Sequence, residues 1–146
     1  MNVIQEAQGV LDHLALAVGL ESLTLDQGNR ASYTHGGMSY LFYALEAEEQ
    51  LAAVIYIGKV DLADADLLYE ILCGNHLWAV TGGGHLSIDR ATGHLCLFNT
   101  LDLPLEDRDE VISFMGDLMG AATHWKTYLP GEGRETPVAE AHYIRV

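Results

Sequence analysis

The chain has 146 residues, enough for one domain with its own core and without disulfides or a metal to hold it together. With 49% hydrophobic residues and three prolines it has the composition of a packed globule, and 21 acidic against 7 basic side chains give a formal charge of −14. A surface that negative repels phosphate backbones and anionic lipid, which excludes nucleic acid and membrane surfaces as partners; it also keeps a protein soluble, so charge alone does not call for a basic partner.

Val3, Ile4, Ala7, Val10, Leu11, Leu14 and Val18 recur at three- and four-residue steps, so residues 2 to 18 read as an amphipathic helix that Gly19 is placed to end. The apolar run from Val10 to Leu20 is interrupted by Asp12, His13 and Gly19 and is well short of the roughly 20 residues of a membrane span. Leu23 and Leu25 alternate with polar neighbours ahead of the turn signal Asp26-Gln27-Gly28-Asn29, and Ala31 to Thr34 reads as the returning partner strand. The runs Met38 to Ala47 and Leu51 to Ile57 flank the Glu48-Glu49-Gln50 corner and predict a hairpin. Along it Tyr40, Phe42 and Ala44 lie on one face and Leu41, Tyr43 and Leu45 on the other, so both faces are apolar and both need a cover.

Residues 62 to 77 predict a short second helix, with Asp61, Asp64 and Asp66 at its start and Leu67, Leu68, Ile71 and Leu72 as its stripe. After Thr81-Gly82-Gly83-Gly84, the runs His85 to Asp89 and His94 to Leu101 predict a second hairpin about Arg90 to Gly93. With Asp89 opposite His94, Leu86, Ile88, Leu95 and Leu97 share the core face, and His85, Ser87, Asp89, His94, Cys96 and Phe98 the other. A long helix from about Asp107 to Leu129 follows, carrying Val111, Met115, Leu118, Ala122 and Trp125 at helical spacing, with Asp107 and Glu110 as a capping pair. Pro130 stops it. The chain is thus one α+β domain over residues 1–130, with 131–146 reading as a flexible, acid-bearing tail before the short Tyr143 to Val146 end.

The sequence offers little chemistry. The glycine run 82–84 lacks the lysine and Ser/Thr of a phosphate loop and precedes a strand, and the Asp61 to Glu70 carboxylates lack the alternate-residue spacing of a calcium loop. His85, Asp89, His94 and Cys96 could share one sheet face, which keeps a metal- or ligand-binding enzyme open as an alternative, but no recognised ligand spacing is present. The expectation is no catalytic residue, no metal and no cofactor. Cys73 and Cys96 form no close pairing motif and no signal peptide precedes them, so the expected compartment is the reducing cytoplasm.

The order of elements, together with a set of local words, resembles the single-domain type III secretion chaperones of the Tir-chaperone family. The words are Leu16-Ala17-Val18-Gly19-Leu20 with Leu23 and Asp26, the stretch Leu67 to Trp78, and Thr81-Gly82-Gly83 with Leu86 and Asp89. Gly93-x-Leu95-x-Leu97, Leu103-Pro104-Leu105 and the helix ending Trp125 to Leu129 complete the set. Each word is a packing signature, and the likeness spans about residues 3 to 129. It implies a cytoplasmic homodimer around which the N-terminal segment of a secreted effector wraps in extended form. It implies a dimer interface at Leu67, Leu68, Ile71, Leu72 and Trp78, and client contact beside the first sheet edge at Leu16, Leu20, Leu23, Leu25, Tyr33 and Tyr40, with intrachain packing as the alternative for each. The ending Tyr143-Ile144-Arg145-Val146 resembles that of regulatory members, whose partner is a transcriptional anti-activator, and this is kept as the second reading.

Overall fold

The computed structural model describes residues 1–130, the side chain of Trp78 excepted. The expected tail, 131–146, lies outside the described residues. Helix α1 (Val3–Val18) forms where the apolar repeat places it and buries Val3, Ala7, Val10, Leu11, Leu14 and Ala15. Asn2 caps its start by accepting the Gln5 N–H, and Gly19 ends it at φ 79°, a left-handed conformation that strains any residue with a Cβ.

The strand expected at Leu23 and Leu25 does not form, and the reason is Gln8 on α1. Its Nε2 donates to the Leu23 carbonyl at 3.0 Å and its Oε1 accepts the Leu25 N–H at 2.9 Å, so these backbone groups are used by a side chain instead of a neighbouring strand. The segment becomes a strap along α1. The next strand, β1 (Arg30–His35), pairs with β2 (Met38–Leu45) through the turn Gly36-Gly37, whose φ values of 59° and 81° are those a two-residue hairpin loop requires. Strand β3 (Gln50–Lys59) continues the meander, with Ala53 opposite Phe42.

Helix α2 (Ala65–Gly74) starts at Asp64, whose carboxylate accepts the Leu67 N–H at 3.1 Å. It is shorter than the predicted 62 to 77, because the chain turns at Asn75 and then forms a 3-10 turn at Trp78–Val80. Strands β4 (His85–Ile88) and β5 (His94–Asp102) form the second hairpin in the expected register, the Asp89 N–H bonding the His94 carbonyl at 2.9 Å. The hairpin is no separate unit. Strand β5 pairs along β3, so that one antiparallel sheet of five strands results, in the order β1-β2-β3-β5-β4. Helix α3 (Glu110–Lys126) begins after Asp107, whose N–H donates to the Glu110 side chain at 3.2 Å; the expected pair is made, but Asp107 stays in the loop before the helix.

The α+β expectation holds, and so does the sheet with two apolar faces. On one face Tyr40, Phe42, Ala53, Ile55, Leu95 and Leu97 meet residues of all three helices in a single core. On the other, Leu41, Tyr43, Ala52, Val54, Tyr56 and Cys96 form a second cluster, with Leu45 and Phe98 against it. The glycine run serves packing: at Gly82, with φ 62°, a Cβ would lie 2.5 Å from the Asp117 carbonyl oxygen of α3, and at Gly84 it would lie 2.5 Å from that of Phe98.

Candidate partner-binding surfaces

Two surfaces carry the residues singled out in the sequence. The first is α2. Its cap at Asp64 sets the helix so that Leu67 and Ile71 point into the main core, where both are buried, while Leu68 is half-buried against that core. Leu72 faces outward and is 71% exposed. The exposed apolar residues that sequence reasoning missed are Tyr69, one turn from Leu72 on α2, and Leu62 and Leu77, before and after the helix. The signal was available: on a helix, a stripe at steps of three and four identifies one face, and Tyr69 and Leu72 are three apart on a different face from Leu67 and Ile71. The side chain of Trp78 lies outside the described part of the structure.

The second surface runs from the end of α1 to the edge strand β1. Leu16 is 82% exposed, Leu20, Leu25 and Tyr33 are half-buried against the core, and Val18 is exposed beside them. Leu23 and Tyr40 are buried, the first by the strap on α1 and the second under a stack of rings. Tyr33 lies parallel to Tyr40, centroids 4.7 Å apart, and 6.2 Å from Phe42. Its hydroxyl is buried without a hydrogen-bond partner among the described residues, and burial pushes its pKa up to about 12. Among the described residues, strand β1 pairs with β2 on one side only, so its other side is a sheet edge, and β4 is the edge at the far end.

The His85 to Cys96 face does not converge on a metal. Among the described residues no group of three or more His, Cys, Asp or Glu side chains is placed to hold one. His85 is exposed opposite Phe98, while the Asp89 carboxylate accepts the Tyr56 hydroxyl at 2.8 Å and the Ala91 N–H at 2.8 Å. Burial pushes the Cys96 thiol up to about 12, the opposite of what a nucleophile or thiolate ligand requires, and burial with the nearby Lys59 charge lowers His94. No described helix is long and apolar enough to cross a membrane.

With that geometry in view, the family model of the Tir chaperone protein (CesT) family matches residues 9–126. The chain belongs to that family. Its members are type III secretion chaperones, so the resemblance in the sequence was sound. No curated protein matches the chaperone. Among solved structures, a chain of the ExsC–ExsE complex matches with a TM-score of 0.77 at 20% identity, over 90% of the chaperone and 98% of that chain. A chain of the HopA1–SchA chaperone–effector complex follows with 0.70 at 13% identity, over 85% and 95%. The Yersinia pestis type III secretion chaperone SycH in complex with a fragment of YscM2 gives 0.63 at 19% identity, over 82% and 98%. At these identities the likeness is one of fold.

Proposed function

We propose that this chaperone is a cytoplasmic homodimer that binds the N-terminal segment of a type III secreted effector and holds it extended and competent for secretion. The observation that carries the reading is a set of exposed and half-buried apolar side chains, Leu16, Val18 and Leu20 at and after the end of α1, Leu25 in the strap and Tyr33 on the edge strand β1, on a chain of this family. An unfolded segment meeting that surface gains backbone hydrogen bonds from the strand edge and apolar contact from these side chains. The structures of similar fold include a chaperone–effector complex, which supports the same reading. Leu23 and Tyr40 lie buried in the core. For the dimer, Leu72 and Tyr69, one turn apart on α2, are the exposed apolar side chains that a second copy would cover, and Leu67 and Ile71 hold α2 in place behind them.

The test is co-purification of the tagged chaperone from its native host, with the bound proteins identified by mass spectrometry. An effector captured by the wild-type chain and lost from Leu16→Asp supports the proposal. A transcriptional anti-activator in its place assigns the regulatory role, and a stoichiometric metal with neither protein revives the enzyme reading.

A further inference from the structure

The two edges of the sheet differ in what their backbones still offer. In an antiparallel pair, successive residues turn their N–H and C=O groups alternately toward the partner strand and away from it. On β4 the Asp89 N–H bonds the His94 carbonyl, so Ser87 and His85 turn their groups to β5, and Leu86 and Ile88 turn theirs outward. Both outward groups of Leu86 are taken: the Asn75 amide donates from Nδ2 to its carbonyl at 2.9 Å and accepts its N–H on Oδ1. One side chain thus makes the two bonds that a neighbouring strand residue would make. Asn75 follows directly on α2, and Gly74 lets the end of the helix come so near, because a Cβ there would lie 2.5 Å from the Trp125 ring and 3.3 Å from the Leu86 side chain. Among the described residues only Ile88 keeps its outward groups on β4, too few for a strand to pair with.

On β1 the Asn29 carbonyl accepts the Ala44 N–H, so Ala31, Tyr33 and His35 turn their groups to β2, and Arg30, Ser32 and Thr34 turn theirs outward. Arg30 is taken, its N–H by the Asp26 carboxylate at 3.0 Å and its carbonyl by the Asp26 N–H at 2.7 Å. Ser32 and Thr34 keep theirs among the described residues, two outward residues in succession along the edge. We propose that Asn75 closes the β4 edge to an added strand and so gives the sheet a single address for an extended partner, the β1 edge at Ser32 and Thr34. The closure matters because an unpaired edge is a template for any strand that reaches it. A chain that takes an unfolded partner at one end of its sheet would, with the other end open as well, bind a second segment there. The β1 half of this inference rests on the strand-addition reading of the client surface, and the β4 half on the Asn75 bonds.

The probe is the strand-forming peptide acetyl-Thr-Val-Thr-Val-Thr-Lys-amide, titrated into the isotope-labelled full-length chain and into its Asn75→Ala variant, with backbone amide shifts as the readout. The expected result is movement of the Ser32 and Thr34 signals in both chains, and of Leu86 and Ile88 in Asn75→Ala only. Without peptide, amide exchange at Leu86 is expected to be roughly tenfold faster in the variant, with that of Leu97, opposite it on β5, unchanged. Movement of Leu86 and Ile88 in the wild type shows that edge open and overturns the proposal. So does a variant in which β1 responds and β4 does not, since something besides Asn75 then closes the edge. Movement at β4 of the variant with none at Ser32 and Thr34 supports the closure by Asn75 and overturns the β1 address, and the strand edge of the client reading with it. A peptide that moves no signal in either chain overturns both halves. If Asn75→Ala fails to fold, Asn75→Ser takes its place, because one hydroxyl cannot serve both groups of Leu86.

Discussion

Burial keeps two side chains neutral well beyond their usual range: the Cys96 thiol, from 9.0 to about 12, and the Tyr33 phenol, from 10.0 to about 12. A group whose folded pKa is raised holds its proton in the native state after the unfolded chain has lost it, so stability falls as pH rises between the two values. The fold is expected to lose stability from about pH 9 upward, measured as a lower urea midpoint at pH 10.5 than at pH 8.5. Tyr33→Phe should lessen that fall. At pH 7 the same variant should leave stability unchanged or raise it, because the hydroxyl it removes is buried without a partner and the ring stack is kept. Gly82 is the opposite case, a residue with no side chain to spare. Gly82→Ala sets a Cβ at φ 62° and 2.5 Å from the Asp117 carbonyl oxygen, and is expected to cost on the order of 2 kcal/mol in a denaturant titration.

Among the elements, the strap after α1 shows how a side chain can override local strand propensity. Gln8→Ala removes both hydrogen bonds that hold Leu23 and Leu25, and is expected to destabilise by about 1–2 kcal/mol while speeding amide exchange at Leu25. That bond was not legible in the sequence, since Gln8 and Leu25 are 17 positions apart and nothing in either neighbourhood points to the other. What was legible came from periodicity. The stripes of α1 and α3 and the Asp89 to His94 register follow from spacing and turn chemistry, which act over a few residues, whereas Ala31 to Thr34 pairs with β2 across Gly36-Gly37 and not with the Leu23 to Leu25 run expected as its partner. The pairing of β5 with β3, which merges two hairpins into one sheet, joins positions 35 to 52 apart, from Lys59 with His94 to Gln50 with Asp102, and required the fold. The candidate interface on α2 was half legible: the helix and its leucines were found, but which of them face outward depends on the burial of Leu67 and Ile71 in the main core.

At the scale of the whole molecule, that distinction changes how the dimer is tested. Ile71→Asp would bury a charge in the core and unfold the chain, whereas Leu72→Asp alters a side chain 71% exposed and leaves the fold intact. Leu72→Asp is expected to sediment near 15.9 kDa with an unchanged melting curve shape, and the wild type near twice that mass; a wild type that sediments as a monomer removes the homodimer from the proposal. The formal charge of −14 then acts on the assembly as a whole, keeping a protein with exposed leucines from sticking to further copies. The edge at β1 has a limit of its own. It is six residues long and ends at a pair of glycines whose positive φ angles turn the backbone out of the pleat, so a guest strand has about 20 Å of template and no more. A short ruler of this kind admits one brief extended stretch of any chain laid on it and gives a growing fibre nowhere to continue.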